Sequence, residues 1–191
     1  METLKTNKLR IAGFNKDSIV DGPGLRYTIF SQGCFHNCEG CHNPQTHDIT
    51  AGKIVDIDEI FEDINNIPIC DGVTFSGGEP FLQADTFADL AVKIKNSNHP
   101  LDIICYTGWT WEEIQEIISN GFSDYMRLLR NIDYLIDGRF DKNKVSLDCN
   151  WRGSTNQRII DVQKSLKLVK LSRLISKTMG VSKITPNFII K

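Results

Sequence analysis

No apolar run in this chain of 191 residues approaches the length of a membrane span. The stretch Met1 to Arg10 is polar and has no apolar core of the kind a secretory signal needs. Both absences predict a cytoplasmic protein without a membrane partner. There is no internal repeat and no low-complexity linker, which excludes a repeat array and leaves room for one main domain. Six cysteines without an export signal argue for reduced thiols, not a disulfide framework. The rest of the composition is ordinary for a globular chain: 40% hydrophobic, 24% charged, net charge −2. Direct nucleic-acid binding is not expected from it.

Acidic residues are missing from one region altogether. Val162 to Lys191 contains no Asp or Glu but seven basic residues, so the first 161 residues carry −9 of the net −2. Lys164, Lys167, Lys170, Arg173 and Lys177 recur every three or four positions, with Leu166, Val169, Leu171 and Leu174 between them. That pattern suits a basic amphipathic helix. It reads either as a solvated face or as a docking element for an acidic partner or nucleic acid. The chain is therefore expected to divide into a main domain, 1–161, and a basic extension, 162–191, helical in part.

Within the main domain, strand and helix signals alternate. Leu25 to Ser31 is rich in β-branched and aromatic residues and reads as a strand, as do Val73 to Phe75, Leu101 to Tyr106, Ile132 to Ile136 and Arg158 to Ile160. Asp56 and Glu59, and again Thr110 and Glu113, have the spacing of capping boxes before helical apolar patterns. Ala84, Phe87, Ala88, Ala91 and Ile94 mark another helix, and Asn120-Gly121 marks a stop. This alternation predicts βαβ units and a mostly parallel, curved sheet with outer helices. A complete eight-fold barrel needs about 250 residues, so an incomplete, TIM-like barrel is expected. Chemistry in such folds sits at the carboxyl ends of the strands.

The loop after the first predicted strand is the richest in chemistry. Cys34, Cys38 and Cys41 form a C-x3-C-x2-C run. Thiolates this close suit soft metals, either an iron–sulfur cluster or zinc. Zinc would draw on His36, His42 or His47 for its fourth ligand. A cubane cluster usually takes four cysteines, so three would leave one iron open to bind and polarise another group. No second C-x2-C pair exists to close a four-thiolate zinc site. Ser76-Gly77-Gly78-Glu79-Pro80 follows the next strand. It is either a plain turn or bare backbone that lets a ligand approach, with Glu79 accepting from an ammonium group. Thr107-Gly108 and Asp137-Gly138 end the following strands. Asp133 and Asp137 are expected on one strand face, and Asp137 also reads as part of an Asp-Gly turn. Arg152 and Arg158 flank a donor-rich loop suited to a carboxylate or a partner's backbone. Cys70, Cys105 and Cys149 are scattered and read as small buried hydrophobes.

Taken together, these motifs resemble the radical S-adenosylmethionine enzymes. Among those they resemble the glycyl-radical activases, in particular the activators of anaerobic (class III) ribonucleoside-triphosphate reductases. The resemblance rests on Ile19 to Gly24, Gln32 to Pro44, Ser76 to Pro80, Asp133 to Gly138 and Arg152 to Arg158, and spans about Arg10 to Asp161. It implies that Cys34, Cys38 and Cys41 ligate a [4Fe–4S] cluster and form the catalytic centre. It implies S-adenosylmethionine on the fourth iron, contacted by Gly40, Cys41 and His42. Further contacts would come from Ser76, Gly77, Gly78, Glu79, Thr107 and Asp133. A flavodoxin or ferredoxin would supply one electron, and a 5′-deoxyadenosyl radical would take hydrogen from a glycine Cα of the large reductase subunit. Gly40 departs from the aromatic usual in the wider superfamily before the third cysteine, and the resemblance does not cover the basic extension. The other readings are a radical enzyme acting on a small molecule and a metal-binding protein without chemistry.

Overall fold

The structure, a computed structural model, describes residues 7–146 and 148–169. Its seven strands are β1 (Lys8–Ser18), β2 (Arg26–Ser31), β3 (Lys53–Asp56), β4 (Gly72–Gly77), β5 (Asp102–Tyr106), β6 (Tyr134–Asp137) and β7 (Arg158–Asp161). They form one sheet in the order β3-β1-β2-β4-β5-β6-β7, open between its two edges. β2, β4, β5 and β6 are parallel neighbours. β1 runs antiparallel to β2 and β3, and β7 antiparallel to β6. The helices are α1 (Ile57–Asn65), α2 (Ala84–Lys95), α3 (Trp111–Ser119) and α4 (Ser123–Leu129).

The two faces of the central strands differ in chemistry. Register aligns Tyr27 with Val73 and Ile103, and Phe75 with Ile29, Cys105 and Leu135 in turn. These side chains are buried and pack with Phe87, Ala88, Ala91 and Ile94 of α2. Phe75 and Phe87 lie 4.7 Å apart, ring centre to ring centre. The alternate positions are largely polar: Arg26, Thr28, Thr74 and Ser76, all buried. Burial on both faces is what a parallel sheet demands. Here the second face is closed by polar pairing: Arg26, 0% exposed, donates to Thr74 Oγ1 at 2.7 Å and Asp102 Oδ1 at 2.6 Å.

Several elements follow local rules. Thr110 and Glu113 make the reciprocal capping box of α3. Asp56 caps α1 by accepting from the Asp58 amide, without the reciprocal bond expected from Glu59. α1, capped in this way, buries Ile57, Ile60 and Ile64. β1, β3 and α4 were not expected, and β7 runs antiparallel within the mostly parallel sheet. The basic extension begins as helix over residues 162–169. Its first turn is docked: Val162 is buried, its amide donates to Asp133 O at 2.9 Å, and Leu166 packs against the core. Lys170, Leu171, Arg173, Leu174 and Lys177 lie outside the described residues.

Candidate iron–sulfur site

The cysteine loop leaves β2 at its carboxyl end and is closed by backbone and side-chain bonds. Gly33 N donates to Thr46 O at 2.8 Å and Cys34 N to His47 O at 3.2 Å. Gln32 Nε2 reaches across to Gln45 O at 3.1 Å and Asp48 O at 2.7 Å. Asn37 and Gly40 take positive φ, 48° and 75°, which folds the loop tightly. Cys34, Cys38 and Cys41 are free, partly exposed, and line one cavity of about 560 Å³.

Burial pushes the Cys34 and Cys38 thiols up. Backbone amides of His36 and Asn37 oppose this at Cys34, as does a backbone bond from Phe140 at Cys38. Asn43 N also donates to Cys41 Sγ at 3.4 Å. Amides aimed at sulfur are the outer-shell contacts that tune thiolate ligands. Among the described residues, no three His, Cys, Asp or Glu side chains gather as ligands of a single metal ion. A structural zinc site needs such a gathering, whereas a cubane spreads its thiolates over different irons. The donor set, its amide partners and the room beside it fit a cluster.

The rest of the cavity wall comes from the ends of the parallel strands. Ser76, Gly77 and Gly78 follow β4, Thr107 and Gly108 follow β5, and Gly138 follows β6; all line it, as does His42. Gly40 does not; it backs onto Phe140 and Lys142. Gly78 cannot carry a side chain, because a Cβ there would stand 2.4 Å from Gly33 O. The turn therefore abuts the cysteine loop directly. Gly78→Ala is expected to push the two loops apart. Iron incorporation should fall at least severalfold in that variant, measured as iron per chain after reconstitution; unchanged incorporation would show that the approach is not required.

Two further residues expected at the cofactor do not line the cavity. Glu79 is 1% exposed and does not line the cavity. Its carboxylate takes His36 Nε2 at 2.7 Å, Thr107 Oγ1 at 3.0 Å, Gly108 N at 2.9 Å and Phe81 N at 3.0 Å. No acceptor capacity is left facing a ligand's ammonium group. Asp133 precedes β6, at the end of the strand away from the cavity. It pairs with Lys95 and accepts from Ile103 N at 2.7 Å. Asp137, on the same predicted face, is buried: Trp111 N donates to it at 2.7 Å and Arg158 Nε at 2.9 Å. Arg158 is thereby held by Asp137 and Glu112, while Arg152 lines the cavity. Cys105 is buried as expected, but Cys149 lines the cavity.

Sequence reading missed His36 as Glu79's partner, and Tyr106, Phe140 and Trp151 as wall residues. Tyr106 could have been found, since it is the last residue of β5. His36 packs edge-on to Trp109 at 4.7 Å between ring centres. A Cβ on Gly108 would come within 2.3 Å of its ring.

An α/β domain with a three-cysteine loop at the strand ends is the architecture of a single-cluster iron–sulfur protein, and comparison with known families agrees. The family described as "4Fe-4S single cluster domain" matches residues 20–160. A relative from Vibrio cholerae, named anaerobic ribonucleoside-triphosphate reductase-activating protein, is 34% identical over 147 residues, 74% of this chain and 90% of its own length. Relatives of the same name from Enterobacteria phage T4 and Escherichia coli K12 are 31% and 33% identical over 144 and 147 residues. Each pairing covers 73% of this chain, and 86% and 90% of the phage and bacterial proteins respectively. The chain belongs to the family of anaerobic ribonucleoside-triphosphate reductase-activating proteins.

Proposed function

We propose that this protein activates an anaerobic ribonucleoside-triphosphate reductase by generating a glycyl radical on its large subunit, as a radical S-adenosylmethionine enzyme. The observation that carries the reading is the cavity in which three thiols face the bare backbone of Gly77 and Gly78, in a member of this family. When bound, the cluster and S-adenosylmethionine supply one-electron cleavage of a sulfonium and the power to abstract hydrogen.

The chain's own residues do the rest. Cys34, Cys38 and Cys41 would hold the cluster. Gly77 and Gly78 let the cofactor approach the strand end, with Ser76, Thr107 and His42 on the wall around it. Glu79 acts from behind that wall by fixing the loops. Tyr106, Phe140 and Trp151 shield the cavity from water. The sheet serves as an incomplete barrel whose open side admits a loop of another protein. A flavodoxin or ferredoxin donates the electron, and the reaction takes place in the cytoplasm. Residues 1–161 form the catalytic unit, and the basic extension from 162 is an addition to it. No helix among the described residues is long and apolar enough to cross a membrane.

The test is anaerobic reconstitution with iron and sulfide, reduction, and addition of S-adenosylmethionine with and without the reductase subunit. Cleavage to 5′-deoxyadenosine together with a glycyl radical signal on the subunit is the expected result. Cleavage without that signal would shift the reading to a small-molecule radical enzyme. A loaded cluster with no cleavage would leave a metal-binding protein.

A further inference from the structure

Four thiols, not three, share the cavity at the strand ends. The fourth is Cys149, which enters from the loop between β6 and β7. The base of that loop is pinned. Gln157 Oε1 accepts from Gly153 N at 2.8 Å and Ser154 N at 3.2 Å, and its Nε2 donates to Gly138 O at 2.9 Å. Thr155 N donates to Lys144 O at 2.8 Å. Above the base the bonds are local: Asp148 N donates to Ser146 Oγ at 3.2 Å, Cys149 N to Ser146 O at 3.3 Å and Asn150 N to Asp148 O at 3.2 Å. Cys149 can therefore shift within the cavity without breaking a bond to the rest of the fold.

A small hydrophobe, the plain reading of this cysteine, belongs in the core, and Cys149 is not part of it. Its neighbours Asp148 and Asn150 are exposed, whereas Cys149 is part-buried. Cys70 Sγ donates to Gly72 O at 3.3 Å and Cys105 Sγ to Tyr106 O at 3.5 Å, but Cys149 Sγ has no hydrogen-bond partner among the described residues. Arg152, on the same wall, donates to Gln157 O at 3.2 Å and pairs with no carboxylate among the described residues. A free cation of this kind favours a thiolate over a thiol. A cubane cluster is ordinarily held by four thiolates. The cysteine loop supplies three, and the cavity holds one more.

We propose that Cys149 is the fourth protein ligand of the cluster whenever S-adenosylmethionine is not bound. This rests on the cluster part of the reading above, and not on cofactor cleavage. The step is a ligand exchange. As the Sγ–Fe bond forms, the Sγ–H bond breaks and its proton passes to solvent. When the cofactor takes the iron, the Sγ–Fe bond breaks and the thiolate regains a proton. No electron changes hands. The resting cluster is thereby closed against loss of its fourth iron, and the cofactor binds in competition with a thiolate.

The experiment compares wild type and Cys149→Ser, each the full chain reconstituted with sulfide and isotopically enriched iron, by Mössbauer spectroscopy. Serine keeps a small polar side chain on this turn, so the thermal transition should stay in place. Without cofactor, wild type should show four irons in all-sulfur coordination, and Cys149→Ser one iron in four that differs. Adding S-adenosylmethionine should make the differing iron appear in wild type. After brief exposure to air, Cys149→Ser should lose one iron in four while wild type keeps its full complement. With the competing thiolate gone, the variant should bind the cofactor roughly threefold to tenfold more tightly. A differing iron already present in cofactor-free wild type would overturn the proposal. So would identical spectra and iron retention in the two proteins. Four like irons in wild type that S-adenosylmethionine leaves unchanged would support the fourth thiolate and overturn the cofactor reading. A wild type that takes up no cluster would overturn both.

Discussion

Cys38→Ala is expected to give a folded, colourless protein. Cys38 is a free, part-exposed side chain outside the apolar core, on a loop held by its own backbone bonds and by Gln32. Truncating it should change folding stability by no more than about 1 kcal/mol. Two loop thiolates, however, cannot hold a cluster. Iron content and the visible absorption of reconstituted protein should fall to background, and cofactor cleavage and glycyl radical yield should fall with them. Cys105→Ala is the matched control. That thiol is fully buried on β5, beside Phe75 of β4 and Leu135 of β6, so its loss should cost about 1 kcal/mol of stability and leave the cluster loaded. Full cleavage by Cys38→Ala would mean that the ligand set is wrongly assigned.

The cysteine run was legible because its signal is local. Three cysteines at fixed spacing, the Gly77-Gly78 turn and the Thr110–Glu113 box all lie within a few residues of themselves, and each stands where the sequence puts it. The edges of the sheet were not legible. β1 contains Asn15, Lys16 and Asp17 and lacks alternation; it becomes a strand because β2 and β3 offer it partners on both sides. Arg158 to Ile160 reads as a strand, but a short apolar run carries no information about direction. Asp133 misled for a related reason. The strand signal begins at Ile132, whereas β6 begins at Tyr134, so Asp133 falls at the amino end beside Lys95. The partners of Glu79 were not legible, because His36 and Thr107 are 43 and 28 residues away in the chain.

Glu79→Ala should be among the most damaging single changes in this protein, through folding rather than cofactor affinity. One carboxylate joins the cysteine loop through His36, the turn after β4 through Phe81 N, and the turn after β5 through Thr107 and Gly108. Its removal would leave a buried imidazole, a hydroxyl and two amides without their acceptor. Breaking a buried pair of this kind costs about 3–5 kcal/mol, a large share of the roughly 5–15 kcal/mol that holds a domain together. Urea denaturation of the cluster-free chain should show that loss. Glu79→Gln should lose less, because the amide oxygen still accepts while its NH₂ faces donors. If Glu79 held the cofactor's ammonium instead, both variants would keep wild-type stability and lose only cofactor affinity, and that outcome would restore the sequence reading. Because the same carboxylate fixes the cysteine loop, stability and cluster uptake should fall in step across the series. Cluster binding favours the folded state by mass action, so reconstitution should return part of the lost stability in Glu79→Gln. An apolar cavity-filling change elsewhere in the core should not couple to the cluster in this way.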